Sequence, residues 1–253
     1  MTCFMREMTW PEFAARKDDI VLIPVGSTEQ HAQHLPLCTD AVIAEQFACR
    51  LAERVNGIVM PTLSYGYKSK PLSGGGPLFP GTIDLNGETV IRLTYDVLME
   101  LVRDGFSRIM LVNAHFENEA FLVEAMDMVN RDTNGVATIV ETSWWDPMPE
   151  DVIDKVFDVV PFPGWAFEHA AVTETSLMLY FAPELCRMER MVDVRNAEAL
   201  PYFRYPLRRD DVPESGALAS AESSSALRGK IIVDSVIPEL VKICAREFGY
   251  QAK

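Results

Sequence analysis

Basic residues are in short supply in this chain: 23 Lys and Arg face 37 Asp and Glu, for a formal charge of −14. Such a surface repels phosphate backbones and anionic membranes. Nucleic acid and membranes are therefore not expected partners, and a small neutral or cationic substrate suits the field better. No apolar run approaches bilayer-spanning length, and the first eight residues hold no apolar core of signal-peptide size. The five cysteines (Cys3, Cys38, Cys49, Cys186, Cys244) form no CxxC pair. An odd, scattered set is expected as reduced thiols in a cytoplasmic setting. There is no internal repeat and no low-complexity tail. The length suits one compact domain spanning residues 1–253.

Histidine is scarcer still, with four in the whole chain, and all four lie in polar clusters. His31 and His34 fall in Gly26-Ser-Thr-Glu-Gln-His-Ala-Gln-His34, His115 in Asn113-Ala-His-Phe-Glu-Asn118, and His169 in Phe167-Glu-His-Ala170. Neutral imidazole binds transition metals, and its proton moves near neutral pH. Histidine concentrated beside glutamate points to a metal site with an acid–base partner.

Short apolar runs at 19–26, 58–61, 108–113 and 136–141 read as strands covered on both faces. Helical patterns at 41–55, 88–103, 119–131 and 168–181 alternate with them, and a further helix is expected over 217–227. Asp40 stands where the first of these helices would be capped. Alternation of this kind predicts an α/β fold, doubly wound, with a mainly parallel central sheet and helices on both faces. Residues 65–84, with Ser73-Gly-Gly-Gly76, and 200–215 are too irregular for either element. The first of these is expected as a substrate-facing loop. Trp10 is expected in the core.

Glu29 and His31 follow the first strand, and His115 and Glu117 the third, each pair two residues apart. In extended backbone such residues point to one side. Both pairs can project from the carboxyl edge of the sheet, where open α/β folds bind ligands, and Asp40 can return to the same crevice. Two histidines and three carboxylates suit Zn²⁺, Mn²⁺ or similar ions. Five ligands exceed the needs of one catalytic zinc, so a carboxylate such as Asp40 bridging two ions is the economical arrangement. His169 is the best proton-shuttle candidate, and His34 a supporting group. Trp144 and Trp145 follow the fourth strand, where Trp145 can wall a pocket.

These motifs, together with Phe79-Pro-Gly-Thr82, Trp145-Asp146, Trp165-Ala-Phe-Glu-His169 and Glu174-Thr-Ser176, resemble the creatinine amidohydrolase (creatininase) family from about residue 8 to about residue 232. The resemblance implies a binuclear centre with two divalent ions per subunit, Zn²⁺ and/or Mn²⁺. Glu29 and His115 would hold one ion, His31 and Glu117 the other, with Asp40 bridging. Glu117 would also act on the water and His169 would be the catalytic histidine. Ser73, Trp145, Trp165, Phe116 and Glu168 are expected on the substrate side, and a homo-hexamer is implied. The implied reaction opens a small cyclic amide, creatinine to creatine. Alternatives are the same centre acting on a formamide, another cyclic amide or imide, or a sugar-derived ring, and, more distantly, a non-catalytic metal-binding scaffold. Three positions depart from the creatininase pattern: Phe116 in place of a tyrosine, Ala166 in place of an acid, and Ala170-Ala171 in place of two glycines.

Overall fold

A computed structural model describes residues 2–70, 75–192, 194 and 202–251. Among these, four strands form one parallel sheet in the order β2-β1-β3-β4: β1 (Val21–Val25), β2 (Ile58–Val59), β3 (Arg108–Asn113) and β4 (Thr138–Ser143). The helices are α1 (Trp10–Ala14), α2 (Thr39–Val55), α3 (Gly87–Arg103), α4 (Glu119–Thr133), α5 (Glu150–Val156), α6 (Val172–Phe181) and α7 (Ala226–Phe248). None of them is long and apolar enough to cross a membrane.

Strand alternation divides the core in two. Leu22 of β1 and Met110 and Val112 of β3 face α2, α5, α6 and α7, whereas Val21, Ile23 and Val25 with Ile109 and Leu111 face α3 and α4. Every residue of β1 is buried, as a strand covered on both faces requires. Fully burying one such aliphatic side chain contributes about 1.5–3 kcal/mol, so both faces hold the register. The expected doubly wound α/β sandwich is what the chain forms.

The order also fixes where a site can lie. From β1 the chain passes through α2 to one side of the sheet, while β3 passes through α4, on the opposite face, to the other. Their carboxyl ends therefore flank the topological switch point. Gly26 lets α2 start close against β1: a β-carbon there would sit 2.5 Å from the Ala41 nitrogen.

Several local expectations change. The chain over 217–225 forms turns, and the helix begins at Ala226, capped by the Ser225 side chain, and runs to Phe248. It contains Gly229 and Pro238, which read as helix breakers. Gly229 is there because a β-carbon would meet the Ser176 carbonyl oxygen at 2.2 Å, where α7 crosses α6. Helix α6 starts only at Val172, leaving Glu168 and His169 on the bend before it. Asp40 lies inside the first turn of α2 and does not cap it; Cys38 occupies the cap position. Trp10 is 82% exposed at the start of α1, and Phe13 enters the core instead, 4.5 Å from Phe106 between ring centroids.

Candidate metal centre and substrate cavity

The loop after β1 carries Glu29, Gln30 and His31, all buried. The loop after β3 carries His115 and Glu117 on a short turn, held by a pair of asparagines. Asn113 Oδ1 accepts the His115 N–H at 3.1 Å and its Nδ2 donates to the His115 carbonyl at 2.9 Å. Asn118 Nδ2 donates to the Gly26 carbonyl at 3.1 Å, tying the two loops together. That role for the polar ends of Asn113-Ala-His-Phe-Glu-Asn118 was not evident from their spacing.

Each histidine is turned by a backbone carbonyl. The rear nitrogen of His115, Nε2, is 2.8 Å from the Tyr67 carbonyl, and that of His31, Nδ1, is 3.2 Å from the Glu29 carbonyl. The front nitrogens then face carboxylates. His31 Nε2 lies 2.8 Å from Asp40 Oδ1 and 3.6 Å from Glu174 Oε2. His115 Nδ1 lies 2.9 Å from Glu29 Oε1 and 3.2 Å from Asp40 Oδ2. A rear N–H held by a carbonyl, with the lone pair forward, is how metal-ligating histidines are oriented.

Donor atoms converge in three sets that could hold an ion: Glu29–Asp40–His115, His31–Asp40–Glu174 and Glu29–His31–His169. Asp40 belongs to the first two. The difference from expectation concerns the partner of His31. Glu117 joins none of these sets; its Oε2 lies 3.6 Å from His115 Nε2, on the rear side of that ring. Glu174, in the first turn of α6, stands beside His31 Nε2 where Glu117 was expected. It was legible only as part of a family motif, because a helix interior gives no i, i+2 signal.

The electrostatics fit a cation. Burial pushes Glu29 up to about 8, with His115 pulling the other way. Burial also opposes charge at Asp40, but His31 and His115 outweigh it and hold that carboxyl well below its usual range. Burial disfavours imidazolium at His31, yet Asp40 and Glu174 drive it well above its ordinary value; Glu29 and Asp40 do the same at His115. Without ions, protons supply the positive charge that these buried carboxylates demand. Asp40 Oδ2 and His31 Nε2, both sealed from water, lack a well-formed hydrogen bond among the described residues. Residues and charge alike suit divalent ions.

Beside this centre lies a cavity of about 30 Å³. Trp145 and Trp165 stack across it at 6.1 Å, Phe116 stacks on Trp145 at 6.2 Å, and buried Trp144 braces both tryptophans edge-on. Glu117, Glu168 and His169 complete the polar side. His169 is held well toward its neutral form by burial and by the neighbouring His31. His34 stands outside the donor sets and is 3.0 Å from Thr175 Oγ1, a supporting position. Burial lowers it to about 4. Ser73 lies outside the described residues. Ala32 and Ala170, each just after a site histidine, adopt left-handed φ of 55° and 54°, a conformation costing about 1–2 kcal/mol for a non-glycine residue. The Ala32 N–H is taken by Gln30 Oε1 at 2.8 Å and the Ala170 N–H by Glu174 Oε2 at 2.6 Å. Strain of this kind collects at functional sites.

Fold and site together define an α/β protein with a buried histidine–carboxylate centre at the switch point of a parallel sheet. Residues 6–244 match the Creatininase (creatinine amidohydrolase) family, and the chain belongs to that family. It is 36% identical over 252 residues to the creatinine amidohydrolase of Pseudomonas putida, covering 97% of each chain. A mycofactocin precursor peptide peptidase of Mycobacterium tuberculosis is 28% identical over 242 residues, covering 89% of this chain and 84% of the relative. A mutant creatininase complexed with creatine superposes with a TM-score of 0.95 at 36% identity, covering 98% of this chain and 99% of that one. A creatininase with Mn (TM-score 0.94) and a mutant of Zn-Zn type (0.95) match with the same identity and coverage.

Proposed function

We propose that this protein is a metal-dependent amidohydrolase that opens a small cyclic amide, converting creatinine and water to creatine. The observation that carries this is the sharing of Asp40 between two donor sets, Glu29–Asp40–His115 and His31–Asp40–Glu174, next to an aromatic cavity. These five residues would hold two divalent ions, Zn²⁺ or Mn²⁺. Bound there, such ions supply Lewis acidity toward a carbonyl oxygen and lower the pKa of water.

The chain's own groups do the rest. Glu117, buried beside His115, takes the proton of the attacking water. The ring C–N bond breaks as His169 delivers a proton to the departing nitrogen and regains one from Glu117, the proton taken from water, so that both groups end as they began. Trp145, Trp165 and Phe116 stack on a flat ring, neutral or cationic, and keep bulk water out. Full-length similarity to a creatinine amidohydrolase supports the substrate. Assembly as a homo-hexamer belongs to the same proposal and is checked by light scattering.

Phe116 and Ala166 favour a second reading, because neither brings a polar side-chain group to the cavity wall. In it, the same centre hydrolyses a formamide, another cyclic amide or imide, or a sugar-derived ring. Sites that hydrogen-bond a substrate discriminate by about 10⁴-fold or more, so one lost hydroxyl can move specificity. The deciding experiment is metal quantification on purified protein, coupled to creatine formation from creatinine with Zn²⁺ or Mn²⁺ added and a panel of ring amides beside it. Two ions with creatine formed is the expected result. Two ions with turnover of another ring alone selects the second reading.

A further inference from the structure

Gln30 lies between Glu29 and His31, and its amide has an unambiguous orientation. Its Oε1 accepts the Ala32 N–H at 2.8 Å, and its Nε2 donates to the Gly216 carbonyl at 3.0 Å. A backbone N–H only donates and a carbonyl only accepts, so neither end can be exchanged. The atom 2.9 Å from His169 Nε2 is therefore the amide nitrogen of Gln30, which has no lone pair to offer. His169 Nε2 must accept, and a neutral imidazole accepting at Nε2 carries its hydrogen on Nδ1. That Nδ1 faces the centre, 4.0 Å from Glu29 Oε1.

The 216–218 segment holds both partners. The Leu218 N–H donates to the His169 carbonyl at 3.3 Å. Gly216 has φ +86°, and a β-carbon there would stand 2.1 Å from Gln30 Oε1. Both the backbone conformation and the space demand glycine.

We propose that Gln30 is a positioning residue that fixes His169 in the Nδ1–H tautomer, and that Gly216 locks Gln30 in that setting. The proton is thereby kept on the nitrogen that faces the reacting groups; in the other tautomer it would point at Gln30. No change of charge is involved. The role given to His169 rests on the amidohydrolase reading, but the tautomer itself does not.

The test uses the zinc-loaded protein with ¹⁵N-labelled histidine. Four histidines make a simple spectrum, and His169→Gln identifies the His169 signals. The expected result is a protonated Nδ1 and a bare Nε2 on His169. Gln30→Glu offers Nε2 an acceptor, so the proton should move to Nε2. Turnover should then fall about 10²-fold, the scale of a lost acid–base group, with KM and metal content nearly unchanged. Gly216→Val displaces Gln30 without altering a residue between two ligands, and should shift tautomer and turnover the same way. It also serves if Gln30→Glu folds poorly. A wild-type His169 protonated on Nε2 overturns the proposal, as does a Gln30→Glu protein in which Nε2 stays bare. If wild type shows the Nδ1 proton yet makes no creatine, the tautomer assignment stands and the substrate reading falls.

Discussion

Asp40 and His31 meet through Oδ1 and Nε2 at 2.8 Å, while the other oxygen of the same carboxylate lies 3.2 Å from His115 Nδ1. One side chain thus joins the loop after β1 to the loop after β3. Asp40→Ala should lose both ions, because each donor set loses a member and the two histidines are left facing a gap. Elemental analysis should find well under one ion per chain, and turnover should fall by about 10³-fold or more. Two ions retained in Asp40→Ala would rule out the bridging role.

Glu174 and Glu117 are expected to separate cleanly. Glu174→Gln should drop one of the two ions, since Glu174 supplies the third donor beside His31 and Asp40. Glu117→Gln should keep both and lose about 10²–10⁴-fold in kcat, the range for removal of a general base. Metal counts on the two variants decide the matter. Loss of an ion from Glu117→Gln, with none lost from Glu174→Gln, would restore the ligand pair read from sequence spacing.

That contrast marks how far the sequence was legible. Glu29 and His31 could be found because a strand end gives a short-range rule, the i, i+2 pair. The same rule finds His115 but misplaces Glu117, which lies on a tight helical turn with its Oε2 at the rear of the His115 ring. Asp40 was found at its place, but with helix capping as a rival reason; its burial against two histidines is a tertiary fact. Glu174 and Gln30 act across long sequence separations, 143 residues from Glu174 to His31 (174 − 31) and 139 from Gln30 to His169. No local pattern reports such contacts. The four strands followed from apolar runs, whereas α7 was missed because Gly229 and Pro238 signal breaks where packing against α6 overrides propensity.

The tryptophan pair makes a third prediction. Trp145 and Trp165 both line the cavity beside the centre, so a ring substrate bound there would lie against them. Trp165 sits on a short turn after Gly164, whose φ is +86°, and packs against Trp144, Trp145 and Phe162. Trp145 is braced by Trp144 and Phe116. Trp165→Ala should keep both ions and lower kcat/KM about 10–100-fold, through lost stacking and water exclusion. Unchanged kcat/KM would remove Trp165 from the substrate wall.

Glu168 provides a pH test that needs no substrate. Its Oε1 accepts from the N–H and hydroxyl of Thr173, while Oε2 is sealed from water without a partner among the described residues. Burial pushes it from 4.5 up to about 8, with Thr173 pulling back and Glu174 adding to the rise. Between those values the unfolded chain has already lost the proton that the folded chain keeps. Stability must therefore fall as pH rises through that window and level off above it. Glu168→Gln keeps the shape and the acceptor for Thr173 but never ionises. Relative to wild type, the variant should match it near pH 4.5 and gain stability progressively toward pH 8, by an amount on the order of a few kcal/mol. Urea midpoints of the two metal-loaded proteins across this range check it. Parallel curves would mean that Glu168 ionises as easily folded as unfolded, and that a partner for Oε2 is in place.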